Sequence, residues 1–136
     1  MSRPKLWRKI AGSRRLKAEG SIIIDGQEVT REEAREIAGV KIIERVKRLA
    51  CNHNFSYNKI TVRDQKTIWG SCSRQKNLSF NWRLILLIPE LLDYVICHEL
   101  AHLRHPNHSN DFWSEVRRIC PSCDKSRRGL KNIRIQ

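Results

Sequence analysis

Three stretches of this chain place apolar residues three and four apart, and the shorter stretches between the first two alternate apolar with polar. Ala34, Ile37, Ala38, Ile42, Val46 and Leu49 keep helical spacing and so share one face of an α-helix. Thr30 and Glu33 stand ahead of that face as a capping-box pair, the threonine as N-cap and the glutamate reaching back. The pattern fades at Asn52-His53-Asn54. Leu91, Leu92, Val95, Ile96 and Leu100 predict a second helix, opened by Pro89-Glu90 and stopped by Pro106. Phe112, Trp113, Val116 and Ile119 predict a third, with Ser109 or Asn110 as cap, and a last basic helix is expected over about 124–134.

Extended segments occupy the remainder. Ser21 to Ile24 reads as a short strand that Asp25-Gly26 turns. Lys59–Arg63, Thr67–Cys72 and Asn77–Trp82 read as three strands of a small antiparallel meander. Helix, meander, helix, helix is the order of an α+β domain. With 136 residues, one domain is expected over 21–136, preceded by a basic arm over 1–20.

Composition narrows the class. The hydrophobic share is 40%, and no run approaches the roughly 20 apolar residues of a membrane span. The basic N-terminus is not followed by an apolar core, so no secretory signal is expected and the reading is cytoplasmic. Five scattered cysteines then read as reduced thiols. Cys120 and Cys123 have metal-ligand spacing but no second pair to complete a zinc ribbon, so Cys120 is expected to close an apolar helix face. The net charge of +13, concentrated toward both ends, favours polyanions and makes DNA or RNA contact a candidate, without any sequence preference.

The sharpest chemistry lies at His98-Glu99-Leu100-Ala101-His102 and His108. Residues four apart share a helix face about 6 Å apart, and two neutral imidazoles there can hold one zinc through bonds of about 2.0–2.1 Å. Glu99 is turned about 100° away, toward a bound water rather than the metal. His105 and His108 compete as third ligand. His105 starts roughly 10 Å along the axis from His98, too far for one ion, whereas Pro106-Asn107 turns the chain and lets His108 fold back. Three histidines leave a fourth position for water, the arrangement of a catalytic Zn2+, one per chain. His105, Asn107, Arg83 and Tyr94 are candidates for stabilising the transition state or lining the cleft.

Beyond those five residues, the chain resembles the YgjP-like metal-dependent hydrolases of the zincin metallopeptidases. The resemblance is carried by Trp69-Gly-Ser-Cys-Ser73, Leu78 to Leu84, Pro89 to Tyr94, the His98–His102 motif and Pro106-Asn-His-Ser109 with Phe112-Trp113. It is similar, more distantly, to SprT-like and WLM domains, some of which are DNA-associated proteases. The resemblance implies a minimal zincin-like domain with His98, His102 and His108 as zinc ligands, Glu99 as general base, and a protein or peptide substrate. It also implies that the edge Ile68, Trp69, Gly70 and Ser71 binds that substrate as an added β-strand, Gly70 allowing close approach. The family often carries a longer β-rich N-terminal region, which this chain replaces with its basic arm. The expected function is a zinc-dependent metalloprotease, acting near nucleic acid in one version. The alternative is a nucleic-acid-binding or protein-interaction module with a non-catalytic zinc.

Overall fold

A computed structural model describes residues 22–135. The basic arm expected over 1–20 therefore lies outside the described residues. β1 (Ile22–Ile24) and β2 (Gln27–Val29) form a hairpin whose Asp25 and Gly26 both have positive φ, 52° and 80°, as a two-residue type I′ turn requires. α1 (Arg31–Asn52) follows with its capping box in place: Glu33 N donates to Thr30 Oγ1 at 3.1 Å and Thr30 N to Glu33 Oε2 at 2.8 Å. It buries Ala34, Ile37, Ala38, Ile42 and Val46 as periodicity predicts, but the face ends on Ala50, with Leu49 only partly buried against the core.

β3 (Lys59–Arg63), β4 (Gly70–Cys72) and β5 (Asn77–Asn81) form one sheet in the order β3-β5-β4. The expected antiparallel meander is corrected here. β4 and β5 pair antiparallel, but β3 pairs with β5 in parallel, Ile60 opposite Leu78 and Val62 opposite Phe80. The cause lies in the segment 64–69, which passes across the end of β5 and delivers β4 to its far side. Buried polar groups hold that crossing. Asn81 Nδ2 donates to Gln65 O at 2.8 Å and Ile68 O at 3.0 Å, and Arg83 Nη1 donates to Gln65 O at 2.9 Å. Arg83 also pairs with Asp64 at 2.8 Å, and Trp82 Nε1 donates to the same carboxylate. β5 thus becomes central, and β4 becomes an edge.

A short 3-10 helix (Trp82–Leu86) leads into α2 (Pro89–His102), which has Pro89 in its first turn. α2 is buried on most sides, among α1, β4, α3 (Asn110–Ile119) and α4 (Cys123–Lys131). Among its polar residues, His98 and His102 are half-buried along one line, and Glu99 is buried against the sheet. Arg104 locks the end of α2: it donates to Asn54 O at 2.7 Å, pairs with Glu115 at 2.8 Å, and lies 4.0 Å over the Phe55 ring. All five cysteines are free thiols. No helix among the described residues is long and apolar enough to cross a membrane.

Candidate metal centre

Three imidazoles converge where α2 ends and the chain turns back. Ser109 caps α3, accepting from Phe112 N at 3.3 Å, so the 103–109 segment is a closed turn and His108 folds over the end of α2. One nitrogen from each of His98, His102 and His108 lies within 4.8 Å of the other two. His102 Nε2 and His108 Nε2 are 3.1 Å apart, close to the roughly 3.3 Å between neighbouring ligands of a tetrahedral zinc with 2.0–2.1 Å bonds. Phe112 forms the floor: its ring stacks on His102 at 4.4 Å and stands edge-on to His98 and His108 at 5.0 Å. Trp113 stacks on His108 at 5.9 Å, and the Arg127 guanidinium lies 4.3 Å from the centroid of the Trp113 ring.

Two of the rings have a hydrogen-bond acceptor at Nδ1. His102 Nδ1 lies 3.0 Å from His105 O, and His98 Nδ1 lies 3.1 Å from Glu99 Oε2. An acceptor there keeps the proton on Nδ1 and leaves Nε2 with its lone pair. For His108, burial and the neighbouring His102 and His98 push the pKa below its ordinary value, which favours the neutral, ligating form. The donor set fits a divalent metal of zinc's size and preference.

Glu99 is buried with its carboxylate beside Gly70. A Cβ built on Gly70 would sit 3.1 Å from Glu99 Cγ and 3.2 Å from Ser79 O, so β4 approaches α2 as closely as a glycine allows. Gly70 is needed against the glutamate, a closer and different contact from the one that the edge-strand pattern suggests. Two hollows flank the triad. One, of about 220 Å³, is lined by Ile68, Trp69, Gly70, Tyr94, His98 and Glu99, with Val95 and Leu130 behind. The other, of about 650 Å³, runs from Cys72, Ser73, Arg74 and Lys76 to His102, Leu103, Pro106 and Asn107.

The sequence-derived candidates separate on this geometry. Tyr94 stands in the smaller hollow, its ring 6.0 Å from His98, and burial pushes its hydroxyl up to about 12, so it stays a donor. Asn107 is exposed in the larger hollow. His105 contributes its backbone carbonyl to His102. Arg83 is not brought to the cleft, being committed to Asp64, Gln65 and Asn81 at the strand crossing. Ile68, Trp69 and Gly70 line the smaller hollow, and Ser71 pairs with Ser79 on the sheet. Arg74 and Lys76 are cleft residues that sequence reasoning missed, because they follow the Trp69–Ser73 motif in a turn with no pattern of its own, and Cys72, quoted in that motif, was given no role. The Cys72 thiol is pushed up to about 11 by burial and the Glu99 charge, so it is neither a ready nucleophile nor a competing thiolate ligand.

A family model described as the YgjP-like metallopeptidase domain matches residues 18–133. The metallopeptidase zymogen abylysin of Pyrococcus abyssi has a similar crystal structure, with a TM-score of 0.59 at 20% identity, covering 70% of this chain and 98% of that one. The metallopeptidase zymogen jannalysin of Methanocaldococcus jannaschii is similar with a TM-score of 0.57 at 29% identity, covering 67% of this chain and 94% of that one. No curated protein matches the chain.

Proposed function

The chain belongs to the YgjP-like metallopeptidase family, and from that membership we propose a zinc-dependent peptidase in which His98, His102 and His108 hold one Zn2+ per chain and Glu99 is the general base. The observation that carries this reading is the convergence of three imidazole nitrogens within 4.8 Å. Zinc bound there supplies a Lewis acid that acidifies a water and polarises a peptide carbonyl. Glu99 takes the water's proton at its carboxylate and returns it to the leaving amine. Tyr94 donates its hydroxyl to the oxygen that gains charge, a role supported by its place beside His98 and Glu99 and by its raised pKa. The substrate backbone lies along β4 as an added strand. Residues 21–136 form this catalytic domain, and the arm over 1–20 supplies affinity for polyanions such as DNA or RNA.

Metal analysis of the wild type, His108→Ala and Glu99→Gln, followed by casein digestion with and without single-stranded DNA, tests the reading. About one zinc per chain is expected in the wild type and in Glu99→Gln, with zinc lost in His108→Ala and digestion by the wild type alone. Digestion retained in Glu99→Gln excludes that residue as the base. An unchanged rate with DNA excludes stimulation through the arm.

A further inference from the structure

The two hollows beside the triad differ in charge. The smaller presents Ile68, Trp69, Tyr94 and Leu130, an apolar wall interrupted only by Glu99 and His98. The larger presents Arg74 and Lys76 with Ser73 and Asn107, and among the described residues no carboxylate lines it. Both cations are exposed, and neither is in an ion pair with a described residue. The turn that carries them is fastened. Ser73 N donates to Asn77 O at 3.0 Å, Lys76 N to Ser73 O at 3.0 Å, and Asn77 N to Ser73 Oγ at 3.2 Å. Lys76 itself has φ 65°, a left-handed conformation that glycine adopts more easily than lysine.

We propose that this cleft selects peptides by charge, holding an acidic side chain over Arg74 and Lys76 and an apolar one against Trp69, Tyr94 and Leu130, with the scissile bond between them. This rests on the peptidase reading above and adds the substrate class to it. The order along the substrate follows from the strand. β4 runs from Gly70 beside the apolar hollow to Cys72 beside the basic one. A substrate strand pairing antiparallel, the slightly more stable arrangement, runs the opposite way. Its acidic residue therefore lies on the N-terminal side of the bond and its apolar residue on the C-terminal side.

Cleavage of a random peptide library, with products identified by mass spectrometry, reads the preference directly. The zinc-loaded wild type is compared with Arg74→Ala/Lys76→Gly, in which glycine suits the φ of position 76 and keeps the turn. Lys47→Gln/Arg48→Gln removes the same charge from exposed positions on α1 that line neither hollow. The wild type is expected to favour Asp or Glu N-terminal to the bond by about three- to tenfold, the range for exposed charge pairs acting in twos. Arg74→Ala/Lys76→Gly loses that preference, and Lys47→Gln/Arg48→Gln keeps both the preference and the rate on neutral peptides. A flat profile, or an equal loss in the α1 variant, overturns the proposal. So does an oligothymidylate that loses binding in Arg74→Ala/Lys76→Gly while peptide selection is unchanged, since the cations would then serve nucleic acid. If the wild type cuts nothing, the peptidase reading fails by itself. The subsite is then judged by fluorescence anisotropy of a labelled acidic hexapeptide on Glu99→Gln: binding that requires Arg74 and Lys76 sustains it, and no binding refutes it.

Discussion

Gly70→Ala is the most discriminating single change in the site, because it moves the proposed base without touching a metal ligand. The added Cβ would lie 3.1 Å from Glu99 Cγ, 3.2 Å from Ser79 O and 3.4 Å from Glu99 Oε2. Ser79 O belongs to the strand paired with β4, so the sheet resists movement and the Glu99 side chain must give by a few tenths of an ångström. Overpacking of this kind costs about 1–3 kcal/mol, and the alanine returns about 0.4–1 kcal/mol by restricting the unfolded chain. The net loss of stability is about 0.5–2 kcal/mol, small enough for the protein to stay folded. The catalytic effect reads the same shift. A general base contributes about 10²–10⁴ in rate, and a displacement near 1 Å costs up to about 10²-fold. For a shift of a few tenths of an ångström, a fall of roughly three- to tenfold in kcat is expected, with KM within about twofold and zinc content unchanged. Gly39→Ala in α1, where nothing lies within 4 Å of the new Cβ, is the control: stability rises by about 0.5–1 kcal/mol and kcat is unaltered. Wild-type kcat in Gly70→Ala, with Gly39→Ala behaving as expected, would refute the placement of Glu99 as the base that Gly70 admits.

Two further outcomes test the supports of the site. His105→Ala should keep its zinc within error, because the contact at 3.0 Å to His102 Nδ1 is made by the backbone carbonyl; loss of metal would mean that the imidazole itself is a ligand. Asp64→Asn should destabilise the strand crossing. Burial pushes this carboxyl up, but hydrogen bonds from Lys66, Trp82 and Arg83 outweigh it and hold the pKa at about 2. A depressed folded pKa means that the stability is present above the unfolded value near 3.9 and is lost as pH falls through about 2. The cost of the substitution at neutral pH is about 2 kcal/mol, below the roughly 3–5 of a fully buried pair because the carboxylate is partly solvated. Urea unfolding should show that gap constant from pH 7 to about 5 and closing below about 4; a gap that persists at the acid end disproves the assignment.

The elements that sequence reading placed well are those whose signals are local. Capping by Thr30 and Glu33, Pro89 at a first turn, and apolar spacing along α1 and α3 all act within a few residues. β2 escaped because Gln27-Glu28-Val29 buries only its last residue, leaving no alternation to read. Strand partnership escaped for a different reason. Lys59–Arg63 and Asn77–Asn81 alternate like neighbours in a meander, and nothing in either records that the chain between them crosses the sheet. The same distance hid the work of Arg83. An arginine next to an apolar run looks like a cleft cation until Asp64 and Gln65 are brought against it. Among the histidines, the motif identified the pair on α2 and helix rise selected His108, but the role of the His105 carbonyl required the turn itself.

The strand crossing and the metal centre are therefore one construction. If β3, β4 and β5 formed a simple meander, β4 would be the middle strand and its backbone groups would be spent on both neighbours. The crossing held by Asp64, Asn81 and Arg83 instead leaves β4 at the margin, with Gly70 over Glu99 and Cys72 beside the hollow that reaches His102. Arg83, which looks like site chemistry in the sequence, is instead one of the residues that make an edge available beside α2. An edge strand with unpaired backbone groups is a liability for aggregation unless something occupies it. In this metallopeptidase the edge lies beside the imidazoles, and on the reading proposed above a substrate strand pairs there and brings its backbone to Glu99.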